Sequence, residues 1–157
     1  LREEHGYAYG ANSRFDMRLA PGPFVAGANV QTDKTAESLT EIFKELDAIR
    51  KPIAGDELAK TKNYLALGFP GAFETIEDLA GRIEELAIYG LPDQYYATYT
   101  TQIGAVTAAT AERAATAHIE PGTLAVVVVG DRARIEPGIR ALNLGPVRVV
   151  SVEDMVP

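Results

Sequence analysis

The chain has 157 residues, a formal net charge of −7 and a sequence pI near 4.8. That length predicts one domain, and 46% hydrophobic with 24% charged residues excludes a disordered chain. No basic stripe exists for nucleic acid, no cysteine for disulfides, thiolate metal sites or thiol chemistry, and no apolar run long enough to span a membrane.

Residues 1–5 read as the end of a helix, with Gly6 as its C-terminal cap. Leu1 is not an initiator and no apolar stretch follows Arg2, Glu3 and Glu4, so the chain is expected to be a piece of something longer. A strand is predicted from Tyr7 onwards towards Phe15 and Leu19, a turn at Pro21-Gly22-Pro23, and a returning strand over Phe24 to Val30. A helix should start near Thr35, with Ala36, Leu39, Ile42, Phe43, Leu46 and Ile49 on one face. Pro52 ends it. A second helix is predicted from near Asp56 to Phe69, where Pro70-Gly71 interrupts it. A third covers about Thr75 to Tyr89, with Ile76, Leu79, Ala80, Ile83, Leu86 and Ala87 in step. Tyr95, Tyr99 and Ile103 share a short helix, and Thr107 can cap an alanine-rich one over Ala108 to Ile119. Leu124 to Val129 reads as a buried strand, with Val127 and Val128 both inaccessible. A helix near Ile135 to Leu142 and a strand near Val147 to Val152 complete the chain. The fold class is α+β: a mainly antiparallel sheet with helices packed on one face, as a single partial domain over 1–157.

Chemistry is sparse. The only histidines are His5 and His118, both near predicted helix ends, where a favourable dipole contact explains them. Neither H-E-x-x-H nor H-x-x-E-H occurs, so no zinc site is expected in this chain. Ser13, Ser38 and Ser151 lie in no nucleophile-elbow sequence. No phosphate-binding glycine loop is present. Glu84/Glu85 reads as a solvated helix face.

One segment rises above this background. Arg2-Glu3-Glu4-His5-Gly6-Tyr7-Ala8-Tyr9-Gly10 resembles a recurring stretch of the insulinase/pitrilysin family of zinc peptidases, which includes the mitochondrial processing peptidases. The resemblance is to the zinc-free, C-terminal half of that family's unit, of form L-R-E-x-x-G-x-A-Y. It continues through Thr32-Asp33-Lys34-Thr35, through Glu57-Leu58 with Lys62, and through Phe73-Glu74-Thr75. Tyr89-Gly90-Leu91-Pro92, Val106-Thr107, Pro121 and Val127-Val128-Val129-Gly130-Asp131 carry it to about Val152.

The resemblance implies a processing-peptidase-like half-unit, incomplete at its N-terminus. In the family the zinc-free half supplies an arginine and a tyrosine seven positions apart to an active site shared with the zinc-bearing half. Arg2 and Tyr9 have that spacing and are the implied catalytic residues. Taken without the resemblance, Arg2 reads as a pair within its helix and Tyr9 as sheet packing. The implied function is part of a zinc-dependent metalloendopeptidase, with zinc held only by a partner half and this chain inactive by itself. The implied partners are that zinc-bearing half or subunit, a peptide substrate and, as an option, further copies of the chain. The alternative is a non-catalytic scaffold or core subunit using the same fold for assembly. The resemblance leans towards a bacterial exported or periplasmic setting. Because the family's half-unit is longer than this chain, some apolar faces are expected to be left uncovered.

Overall fold

A computed structural model describes residues 1–151. The element order is β1 (Ala8–Phe15), β2 (Phe24–Val30), α1 (Thr35–Ala48), α2 (Gly55–Gly68), α3 (Ile76–Tyr89), α4 (Tyr95–Ala105), α5 (Ala108–His118) and α6 (Arg132–Ala141). Short 3-10 turns cover Thr32–Lys34, Phe69–Phe73 and Pro121–Thr123. The architecture is helices with a small antiparallel sheet, and β1 and β2 are its two strands among the described residues. Two compact units divide the chain. One holds Leu1–Ser13, Ala26–Glu45 and the chain from Gly122 on; the other holds Arg14–Val25 and Leu46–Pro121.

The first unit begins with a turn. Gly6 adopts φ +63 and its N–H donates to Arg2 O at 3.0 Å, the left-handed closure expected of a helix C-cap. The hairpin that follows turns through Pro21-Gly22-Pro23, where proline could not sit within the ladder. Gly22 is obligatory: a Cβ there would lie 1.7 Å from the Asp16 carbonyl oxygen. The start of α1 is tied by Thr35, whose Oγ1 donates to Thr32 O at 2.9 Å. Helix α6 is capped by Asp131, whose Oδ1 accepts from Ala133 N at 3.1 Å. It approaches α1 closely at Gly138, where a Cβ would lie 3.2 Å from Ala36 Cβ. Thr35, Ser38 and Ile135 are buried in this unit.

In the second unit Leu46, Ala115 and Ile119 are buried. Helices α3 and α5 start on capping boxes, Thr75 with Asp78 and Thr107 with Thr110, which satisfy amide donors a helix leaves open. Gly90 closes α3 at φ +59. Lys62 of α2 donates from Nζ to Val106 O at 2.8 Å and also to Gly104 O, holding the carbonyl end of α4. Phe69 stacks on Tyr99 at 4.4 Å, and Phe73 meets Tyr96 edge-on at 5.5 Å.

Two expectations are corrected. Leu124 to Val129 forms no strand; Val127 is 85% and Val129 94% exposed. An isolated β-branched run cannot satisfy its backbone without a neighbour, and no strand lies beside it among the described residues. Val147 to Ser151 is likewise not strand, and Val152 lies outside the described residues. Helix α3 forms where its periodicity places it, and Ile76 at 81% and Ile83 at 67% exposure leave much of its apolar stripe facing solvent, in line with the uncovered apolar faces expected.

Candidate functional site

Arg2 and Tyr9 come together in the first unit. The turn closed by Gly6 lets the chain double back, so that the Arg2 guanidinium lies over the Tyr9 ring, 5.0 Å from its centroid. This is cation–π geometry. Both side chains are open to solvent; Tyr9 is 88% exposed. Arg2 Nε also lies 3.3 Å from Glu3 Oε1, an exposed pair that orients it only loosely. Neither side chain is consumed by packing.

The neighbouring residues fix the backbone between them. Tyr7 N–H donates to Leu1 O at 2.9 Å. Gln31, just past β2, donates from its backbone to Tyr7 O at 3.0 Å and from Nε2 to Gly6 O at 2.9 Å. Gln31 thereby pins the turn against the end of the hairpin. Nothing in its sequence neighbourhood announces this, since the bond closes over 25 residues.

Beside the pair lies a second, packed group. His5 stacks on Tyr7 at 4.9 Å, and Lys34 Nζ stands 5.6 Å from the Tyr7 ring centroid. Lys34 is raised in pKa, mainly by its hydrogen bond to Glu37 at 3.3 Å. His5 Nε2 is 3.7 Å from Glu41 Oε2, which also accepts from Lys44 at 2.9 Å. The Lys44 bond, opposed by partial burial, holds Glu41 below the ordinary carboxylate range. A zinc ion fits poorly here: one imidazole and one carboxylate already bound to an ammonium do not make a catalytic ligand set. Among the described residues no three His, Asp or Glu side chains converge as metal ligands. His118 is elsewhere, edge-on to Phe15 at 6.4 Å in the second unit.

What the Arg2–Tyr9 arrangement can do is donate hydrogen bonds outward. A phenol O–H and a guanidinium fork, both exposed, are complementary to peptide carbonyl oxygens.

Residues 1–65 match the family model described as the peptidase M16 inactive domain. M16 is the insulinase/pitrilysin family. A crystal structure of a peptidase M16 inactive domain from Pseudomonas fluorescens superposes with a TM-score of 0.68 at 23% identity, over 76% of this chain. Over residues 1–65 the chain resembles the peptidase M16 inactive domain, and over 76% of its length it shares the fold of that solved domain. It spans 28% of the length of that solved chain. No curated protein matches the chain. The match agrees with the resemblance carried by Arg2 to Tyr9, and the motif lies within the matched segment. No described helix is long and apolar enough to cross a membrane.

Proposed function

We propose that the chain is the non-metal half of an M16-type zinc endopeptidase, lining the substrate chamber and binding peptide backbone beside the scissile bond. The supporting observation is the exposed Arg2–Tyr9 pair, with ring and guanidinium 5.0 Å apart and no other tertiary task. Tyr9 O–H donates to the carbonyl oxygen as it gains negative charge, where a fixed donor is worth most. Arg2 holds a neighbouring carbonyl or carboxylate with its planar fork. Zinc, held by the partner half, supplies a Lewis acid.

In the complete zinc-loaded protein, Tyr9→Phe lowers kcat on an unstructured peptide by about 10²-fold or more, the usual loss when one oxyanion donor is removed. Circular dichroism and melting temperature stay unchanged, because Tyr9 is almost fully exposed. Unchanged turnover removes Tyr9 from the chemistry. A second reading, a non-catalytic core subunit, is favoured by the outward apolar stripe of α3; it predicts no turnover from either protein, with assembly intact.

A further inference from the structure

We propose that the outer face of α3 is a docking surface for an apolar helix flanked by lysine or arginine, presented by another polypeptide. The proposal uses neither Arg2 nor Tyr9 and stands apart from their role. Helix α3 has 14 residues, about 21 Å of length. Ile76, Leu79 and Ile83, at spacings of three and four, form a continuous stripe along it and are all exposed. The polar residues on the opposite side are occupied. Asp78 caps the helix through Thr75, while Arg82 and Glu85 bond to each other and to Tyr96 of α4. The helix thus turns its polar side to its own unit and its apolar side outwards, the reverse of an ordinary surface helix. A stripe with this spacing has the form that takes another helix through i, i+3 and i+7 anchors.

Charge decides what that helix carries. Glu77 and Glu84 lie seven residues apart along one border of the stripe, both exposed, and have no ion-pair partner among the described residues. A second copy of α3 laid antiparallel would set these carboxylates against their own counterparts. A net charge of −7 adds to that repulsion and also opposes an anionic lipid surface. A helix with an apolar centre and a basic flank satisfies stripe and border together.

Two synthetic amphipathic peptides with the same leucine stripe, one flanked by lysine and one by glutamate, test this against the full chain by fluorescence anisotropy at low salt. The lysine peptide binds about tenfold or more tightly than the glutamate peptide. Glu77→Gln with Glu84→Lys reverses the preference while circular dichroism is unchanged, and Ile83→Asp abolishes binding of both. Equal affinities, or binding untouched by Ile83→Asp, overturn the proposal. So does sedimentation as a dimer that Ile83→Asp dissociates, which would make a second copy the occupant. If Ile83→Asp fails to fold, the charge-reversed variant alone decides, since its changes lie at exposed positions.

Discussion

Ser38 is the most deeply buried side chain of the described residues, 1% exposed, and its Oγ has no hydrogen-bond partner there. A buried hydroxyl left unmade costs about 1–3 kcal/mol, more than an average hydrogen bond returns. Ser38→Ala removes that cost and improves helix propensity within α1. The expected outcome is a chain more stable by about 0.5–1 kcal/mol in urea unfolding, with m unchanged; a loss of stability would reveal a partner for the hydroxyl. Residues differ in how far they declare such roles. Gly6, Gly22 and the capping residue Thr107 are legible in sequence because their tasks are local: a positive φ, a turn too tight for a Cβ, an oxygen within reach of the next amides. The closeness of Arg2 and Tyr9 is legible through the family motif and the Gly6 turn. Gln31 and Lys62 are not, since each acts across a gap of 25 or more residues that pattern alone cannot close.

At the scale of elements, α3 and α4 are joined through ionisable groups. Tyr96 Oη donates to Glu85 Oε2, and Arg82 Nη1 donates to the same oxygen at 2.8 Å. The Tyr96 bond first and the Arg82 bond second hold Glu85 below the ordinary carboxylate range, against the opposing pull of partial burial. Burial and the neighbouring carboxylate raise Tyr96. A carboxylate depressed on folding stabilises the native state at neutral pH, and that contribution is lost as pH falls through its depressed value. A phenol raised on folding does the reverse: its contribution is present below the ordinary phenol range and lost as pH rises through the raised value. The Glu85 and Arg82 side chains are more than a third exposed, so solvent screening keeps the pair near about 0.5–1 kcal/mol. Glu85→Gln therefore lowers the melting temperature slightly at pH 7 and flattens its decline below pH 4.5; an acid limb as steep as that of the parent would show that the pair contributes nothing. Sequence periodicity placed α3, α1 and β2 within a residue or two, while β1 stops at Phe15, four residues short of the expected Leu19. It failed at Leu124 to Val129 and at Val147 to Ser151 for one shared reason. An apolar pattern says which side wants cover, and whether cover exists depends on other elements.

The same reasoning scales to the molecule. The chain exposes 11,794 Å², where a folded monomer of its mass exposes roughly 7,700 Å². Its buried hydrophobic side chains among the described residues are Leu46, Ala115, Ile119 and Ile135. Unfolding therefore uncovers only about three quarters of the surface that a closed domain of this length would uncover. Heat capacity and denaturant dependence both follow that surface. A closed domain of this size has an unfolding ΔCp of about 1.9–2.4 kcal/mol/K. Calorimetry on this chain should give about 1.4–1.8 kcal/mol/K, with a urea m-value reduced in proportion. A full-sized ΔCp would mean that the chain buries its own stripes in solution, leaving the face of α3 no cover to seek from a partner. A reduced value that rises when the lysine-flanked peptide binds would show the missing apolar burial being supplied from outside, which is how a half-unit with an uncovered helix face behaves.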